Sequence, residues 1–155
     1  MLFRSVIALL EGFAGPDASE LLTQFDTVQF ETGENIFSQG DHSAGMFIVL
    51  DGQVEIVRSG GHTDHVVAVM SRGDTFGEMG FLSDAPRSAG ARASDRTRLL
   101  VLSTAEFERL SIVNPKLALH LLTNMFRLAA LRFNEVVVTR SELWLRLERS
   151  THKNI

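Results

Sequence analysis

The chain has 155 residues, which is the length of one domain or of one domain with an attached helix. It is 45% hydrophobic and 22% charged and has no cysteine, which excludes a disordered tail, a disulfide framework, thiolate catalysis and cysteine-bound zinc. Residues 1–114 carry 8 Lys/Arg against 16 Asp/Glu and residues 115–155 carry 7 against 3, so we expect an acidic globular part followed by a basic element.

The first residues have the spacing of a short helix. Its apolar positions recur every three or four residues: Leu2, Phe3, Val6, Ile7 and Leu10. Gly12 and Gly15-Pro16 end this lead-in, which we assign to residues 1–16. Asp17 is the predicted N-cap of a second helix that contains Glu20–Leu22.

Short apolar runs separated by turn residues fill residues 25–103, and all 12 glycines lie between Gly12 and Gly90. Asp51-Gly52 stands between two such runs and predicts a β-hairpin. Many short strands at close intervals indicate a sandwich, a jelly roll or a barrel, and the pattern alone leaves these three open. The predicted strands are Val28–Phe30, Ile36–Phe37, Met46–Leu50, Val54–Val57, Val66–Met70 and Leu99–Leu102.

Helical spacing returns after the last strand. A helix is predicted from Thr104, and Asn114-Pro115 ends it and opens a longer second helix. The stripe of Leu121, Met125 and Leu128 on that second helix is typical of packing against a core. Its extension past residue 135 is a candidate dimer seam, although it holds fewer than three clear heptads. The alternation of leucines in 143–147 leaves the structure there open.

The residues best suited to bind a ligand lie in the segment 76–89. Gly77 and Gly80 let backbone amides come close to a ligand, and a short helical turn after them would offer free N–H groups to an anion. Arg87 presents a fork of donors suited to phosphate, and Glu78 can accept hydrogen bonds from sugar hydroxyls. Together they indicate a ligand with a ribose and a phosphate, whereas the alternative is a structural Glu78–Arg87 ion pair.

This segment resembles the phosphate-binding cassette of the cyclic nucleotide-binding domain family. The shared pattern is Phe-Gly-Glu, an aliphatic residue, a small residue, a spacer, then Pro-Arg and two small residues. Segments 33–41 and 46–54 resemble the family's first hairpin and its strand–Gly–strand unit, and the two helices after Ser103 resemble its hinge and lid helices. Because these ordered motifs span residues 17–135, the resemblance is more specific than one short pattern.

The resemblance implies a mainly β fold with flanking helices. The expected barrel is an antiparallel double-stranded β-helix, or jelly roll, over about residues 25–103, preceded by N-terminal helices. The hinge and lid helices would occupy about residues 104–135 and complete a binding domain over residues 17–135. Residues 136–155 would form a helical extension or tail.

The resemblance also assigns roles within the site. Glu78 would accept a hydrogen bond from the ribose 2′-hydroxyl with help from the Gly77 backbone, and Arg87 would pair with an exocyclic phosphate oxygen. Gly80 stands where the family commonly has Ala or Ser. The implied ligand-binding residues are Gly77, Glu78, Met79, Gly80, Arg87, Ser88 and Ala89, and the candidates to cap the base from the lid helix are Asn124, Arg127 and Arg132.

The function implied is that of a bacterial regulatory sensor that binds a cyclic nucleotide and is not an enzyme. In this family a hydroxyl after the arginine, as at Ser88, can contact the guanine of cGMP, but the bacterial catabolite-activator group, which responds to cAMP, also commonly has Arg-Ser. We expect cAMP rather than cGMP, and no cofactor besides this ligand. Binding would reposition the C-terminal helices and control an attached or partner effector, such as a transporter. The alternatives are a nucleotide-free jelly-roll oligomerisation or interaction domain and, with less support, a metal-dependent cupin-like enzyme that uses His62 and His65.

Three further expectations concern the context of the domain. A homodimer could form through the C-terminal helix. The roughly 15 residues after the lid helix are too few for a helix-turn-helix, so no DNA-binding domain is expected in them. No apolar run approaches the roughly 18 residues of a spanning helix, so we expect a cytoplasmic location, including that of a cytoplasmic domain of a membrane protein.

Overall fold

The computed structural model describes residues 8–151. The predicted first helix at Leu2–Ile7 and the end of the tail at 152–155 lie outside the described residues, and Ala8–Leu10 forms one turn of 3₁₀ helix. The chain then forms these elements: α1 (Gly15–Leu22), β1 (Asp26–Phe30), β2 (Asn35–Phe37), β3 (Gly45–Asp51), β4 (Val54–Gly60), β5 (Thr63–Met70), β6 (Thr75–Phe76), α2 (Glu78–Ser83), β7 (Gly90–Ala93), β8 (Thr97–Ser103), α3 (Thr104–Val113) and α4 (Pro115–Thr151).

The strands form two antiparallel four-stranded sheets, in the orders β1-β8-β3-β6 and β2-β7-β4-β5. Strands that are close in sequence often belong to different sheets, so the chain crosses repeatedly from one sheet to the other. This arrangement is a jelly-roll β-sandwich with flanking helices, and it confirms the predicted fold class.

The hairpin predicted at Asp51-Gly52 is wrong, because the strands on either side of it do not pair. β3 pairs with β6 and β8, whereas β4 pairs with β5 and β7, so this turn carries the chain between the sheets. Gly52 has φ +84°, and a Cβ on it would lie 2.5 Å from the Thr97 hydroxyl oxygen. The two-residue hairpin forms instead at Gly61-His62, between the paired residues Gly60 and Thr63.

Two helix boundaries are set by local hydrogen bonding. α1 begins at Gly15 with Ala14 as its N-cap, so Asp17 lies in the first turn and is not the cap that the sequence predicts. At α3 the Ser103 hydroxyl accepts a hydrogen bond from the Glu106 amide at 3.1 Å, which fixes the predicted start at Thr104. α4 then runs unbroken to Thr151, so the leucine-rich stretch 143–147 is helical and no break falls at residue 136.

Buried apolar residues form two clusters. The smaller lies between the sheets and contains Val49, Val54, Phe76, Ala91 and Leu99. The larger joins the helices to the outer face of one sheet, and in it Leu121 and Met125 of α4 pack with Leu9 and Leu10. The core role predicted for the α4 stripe is therefore confirmed, and the first three turns of α4 have a fixed position.

Within residues 8–151, no helix combines the length and apolar character needed to cross a bilayer.

Candidate ligand-binding site

A cavity of about 390 Å³ opens between the second sheet, the segment that follows β6, and α4. This volume is within the range of small-molecule sites. The structure brings every predicted ligand-binding residue of segment 77–89 to this cavity, together with apolar side chains of β2, β4, β5 and β6. The lining residues are Phe37, Ile56, Met70, Phe76, Gly77, Glu78, Met79, Gly80, Ser83, Ala85, Pro86, Arg87, Ser88, Ala89 and Arg132.

The turn at Gly77 brings the backbone close to an arginine side chain. Gly77 has φ +78° and immediately precedes α2. A Cβ at this position would lie 2.6 Å from the Nη1 atom of Arg87, so a side chain would both strain the backbone and displace the guanidinium. The glycine predicted from the motif is therefore needed for the turn and for the placement of Arg87.

Arg87 is a buried cation that is held in place by backbone carbonyls. Its Nη1 donates to Gly77 O at 2.9 Å and its Nη2 to Gly45 O at 2.7 Å, while its guanidinium lies 4.1 Å from the centre of the Phe37 ring. Burial lowers the pKa of Arg87, and the Asp41 and Glu78 carboxylates partly offset this shift. The group stays charged, because an arginine pKa lies far above neutrality.

Arg87 has N–H donors beyond the two that the carbonyl oxygens accept. The Nε atom is buried and has no hydrogen-bond partner among the described residues. The ion pairs formed by the described residues do not include one between Arg87 and Glu78, so the structural ion pair considered as an alternative is absent from this part of the chain. A buried cation with an unsatisfied donor at the wall of a cavity is suited to an anionic group.

Glu78 pairs with the lid helix. Its side chain is only 5% exposed, and its Oε1 accepts a hydrogen bond from Nη1 of Arg132 on α4. The Nη2 of Arg132 donates to the carbonyl oxygen of Thr75 and, at 3.2 Å, to its hydroxyl. Thr75 was not among the predicted site residues, since nothing in the local sequence relates it to Arg132, 57 positions away.

Two of the three base-capping candidates lie away from the cavity. Asn124 is 1% exposed, and its amide donates to the carbonyl oxygens of Leu9 and Glu11, both at 2.9 Å. Arg127 is half-exposed and pairs with the Glu11 carboxylate at 3.6 Å. Both residues face the N-terminal segment and neither lines the cavity, whereas Arg132 does.

The departure from the family pattern at Gly80 has a steric explanation. A Cβ on Gly80 would lie 2.7 Å from both Cβ and Oγ of Ser43. Ser43 is buried, and its hydroxyl has no hydrogen-bond partner among the described residues. Ser43 therefore fills the space that a larger residue at position 80 would need, and no pattern near either residue could have paired them.

The described residues, 8–151, contain no set of ligands for the metal site considered as an alternative. No group of three or more His, Cys, Asp or Glu side chains is arranged there to hold a metal ion. His65 instead lies with its Nε2 3.3 Å from the hydroxyl of Thr63.

Comparisons with known proteins agree with the motif. The family model described as "Cyclic nucleotide-binding domain" matches residues 27–112. The cAMP-dependent protein kinase regulatory subunit of Mycosarcoma maydis is 30% identical over 109 residues, which are 67% of this chain and 21% of that protein. The Cyclic AMP receptor protein of Thermus thermophilus is 32% identical over 115 residues, which are 71% of this chain and 53% of that protein. The chain thus spans between about a fifth and half of the length of these relatives.

Solved structures show the same fold. The Thermus thermophilus catabolite activator protein superposes with a TM-score of 0.78 at 29% identity, over 88% of this chain and 62% of that one. A cyclic nucleotide-binding domain from Methylobacillus flagellatus gives the same TM-score at 24% identity, over 86% of this chain and 79% of that one. The second likeness concerns the fold alone.

Proposed function

The chain belongs to the cyclic nucleotide-binding domain family, and we propose that its cavity binds a cyclic nucleotide, with cAMP preferred over cGMP. The observation that carries this proposal is Arg87, a buried cation in the cavity wall whose Nε has no hydrogen-bond partner among the described residues. The preference for cAMP rests on the relatives, which are named as cAMP-dependent kinase regulatory subunits and as a cyclic AMP receptor protein.

In the proposed complex each part of the ligand meets a matching group. The phosphate pairs with the Arg87 guanidinium and with the backbone amides of Gly80 and Ser88. The ribose 2′-hydroxyl donates to the Glu78 carboxylate. The base lies among the apolar side chains that β4 and β5 supply, Ile56 and Met70. One charge-assisted contact and one sugar contact, both in a mostly apolar cavity, fix the orientation of the nucleotide.

The proposed role is regulatory and not catalytic. Residues 17–135 act as the binding unit, and ligand binding changes how α3 and α4 pack against the sandwich. α4 is suited to report binding because its first turns are in the core and a later residue, Arg132, lines the cavity. The effector is an attached or partner protein that responds to the position of α4 and its extension beyond residue 135.

Thermal unfolding with and without nucleotide tests the proposal. We expect cAMP to raise the melting temperature more than cGMP does, because a ligand that binds only the folded state stabilises it by mass action. The matched control is 5′-AMP, which has the same base and sugar but no cyclic phosphate. No shift with either cyclic nucleotide at millimolar concentration would contradict the proposal and favour a nucleotide-free interaction domain.

We also propose that the protein forms a homodimer through α4. Four large apolar side chains on α4 are exposed at intervals of three, four and seven residues, which is coiled-coil spacing: Leu119, Leu122, Phe126 and Phe133, with exposures of 65%, 36%, 70% and 68%. They lie on a different face of α4 from the core residues Leu121 and Met125, about a quarter to a third of a turn around the helix. A second copy of the same helix would cover this stripe with matching spacing.

Light scattering on wild type and two variants tests the dimer. Phe126→Lys places a charge on the stripe and is expected to give a monomer. Leu131→Lys is the matched control, because Leu131 is 55% exposed on the same helix but lies off the stripe. A wild-type monomer, or equal dissociation by both variants, would contradict the proposal.

A further inference from the structure

Arg132 covers the carboxylate that the ribose is proposed to reach. The Glu78 side chain is 5% exposed although it lines the cavity, and the Arg132 side chain above it is 34% exposed. The guanidinium contacts Glu78 Oε1 with one nitrogen and Thr75 with the other. A hydroxyl in the cavity can therefore take the place of the guanidinium at Glu78 Oε1 only after Arg132 has moved.

The exchange of partners is unfavourable for Glu78 on energetic grounds. Both donors make a charge-assisted hydrogen bond to the carboxylate, but the guanidinium also carries a charge opposite to that of Glu78, whereas a ribose hydroxyl is neutral. The hydroxyl therefore competes with a stronger donor that is already in place. The free energy that the hydroxyl gains by binding Glu78 is reduced by the loss of the Arg132 contacts with Glu78 and Thr75.

We propose that Arg132 is a gate on Glu78, which opens when a ribose 2′-hydroxyl takes the place of the guanidinium. This inference rests on the proposed binding of a cyclic nucleotide. Arg132 is then a specificity-determining residue, because it reduces the affinity that a 2′-hydroxyl adds. The site therefore discriminates less between a ribose and a 2′-deoxyribose. Opening the gate also breaks the contacts that join α4 to β6 and α2, so ligand binding and the release of α4 are linked, and each favours the other.

Calorimetric titration of Arg132→Ala with cAMP and 2′-deoxy-cAMP tests the gate. We expect Arg132→Ala to bind cAMP about threefold to tenfold more tightly than wild type, because the 2′-hydroxyl no longer competes with a cationic donor for Glu78. The ratio of the dissociation constants of 2′-deoxy-cAMP and cAMP is expected to rise by the same factor. If Arg132 instead orients Glu78 for the hydroxyl, Arg132→Ala lowers both the affinity for cAMP and the ratio of the two dissociation constants, and that result would overturn the gate.

Two further variants make the test specific. Arg127→Ala is the matched control, since it removes an arginine–glutamate pair from the same helix but away from the cavity, and its affinity for cAMP is expected to stay within about twofold of wild type. Arg132→Lys, which keeps the charge but cannot contact Glu78 and Thr75 through one planar group, is expected to bind with intermediate affinity and serves if the alanine variant does not fold.

The remaining outcomes separate the gate from the proposed function. If wild type and Arg132→Ala bind cAMP equally, with equal discrimination of the 2′-hydroxyl, the gate fails and cyclic nucleotide binding stands. If neither protein binds any of these nucleotides, the proposed function fails and the gate fails with it. Binding by Arg132→Ala alone would support both.

Discussion

The two sides of the cavity are built differently. On the sandwich side, Arg87 is fixed by two carbonyl oxygens and lies against the Phe37 ring, so its position depends on the strands and the turn around it. On the helical side, α4 reaches the cavity with Arg132, whose contacts are all to side-chain or backbone groups of β6 and α2. The helix itself is held by core residues at 117–125, two to four turns away.

This difference separates recognition from response. A cation that is locked by the fold can hold an anion without any rearrangement, which keeps the cost of binding low. A helix that is anchored at one end and touches the cavity through one side chain can change its position when that contact changes. We therefore expect substitutions on the sandwich side to act on affinity, and substitutions at the anchor of α4 to act on stability.

The largest effect is expected for Arg87→Leu. Nucleotide affinity should fall by more than about thirtyfold, since removing one partner of a buried charged pair costs about 2–5 kcal/mol. The variant should also unfold more easily, because the carbonyl oxygens of Gly45 and Gly77 lose their donor, and each unpaired buried acceptor costs about 1–3 kcal/mol.

Calorimetry and thermal unfolding measure the two effects of Arg87→Leu separately. Arg92→Leu is the control, because Arg92 lies on β7 and pairs with Glu55 at 2.7 Å outside the cavity. Nucleotide affinity near that of wild type in the folded Arg87→Leu protein would show that recognition does not depend on the sandwich side.

An intermediate effect, on stability alone, is expected for Asn124→Ala. Its amide donates to Leu9 O and Glu11 O, so the variant leaves two carbonyl oxygens without this donor and should lose about 2 kcal/mol of the free energy of unfolding. Affinity for cAMP should stay within about threefold of wild type, because Asn124 does not line the cavity.

Chemical denaturation and calorimetry of Asn124→Ala test this separation, with the neighbouring exposed Thr123→Ala as control. A loss of affinity much larger than threefold, with stability unchanged, would return Asn124 to the base-capping role that the sequence suggested.

Most of the sandwich could be predicted because its strands have apolar side chains in local runs. β7 was not predicted because its sequence, Gly-Ala-Arg-Ala, lacks the branched and aromatic residues of a typical strand. β6 was not predicted because it has only two residues. These segments are strands because β2, β3 and β4 pair with them. The same non-local pairing overrode the turn preference of Asp51-Gly52, which predicts a hairpin only when the flanking strands pair with each other.

The site divides in the same way between local and distant information. The motif around Glu78 and Arg87 is contiguous, so the sequence was sufficient to name those residues. The choice among Asn124, Arg127 and Arg132 was not available from sequence, because it depends on the rotation of α4 about its axis. That rotation is set by the packing of Leu121 and Met125 against the N-terminal segment, which is more than a hundred residues away in sequence.

The smallest effect is expected at the edge of the cassette, for Gly80→Ala. The added Cβ meets Ser43 at 2.7 Å and Ala85 O at 3.3 Å, and overpacking of this kind costs about 1 kcal/mol. Because Ser43 is the nearer obstacle, Ser43→Gly should restore most of this loss when the two changes are combined. A double-mutant cycle by chemical denaturation should give a coupling of about 1 kcal/mol between the two sites.

Ser43→Ala serves as the control for this pair. It removes a hydroxyl that has no hydrogen-bond partner among the described residues but keeps the Cβ, so alone it should cost little, and with Gly80→Ala it should restore only part of the loss. A coupling of zero would mean that the cassette moves away from Ser43 at no cost, and the sandwich side would then be less rigid than its contacts indicate.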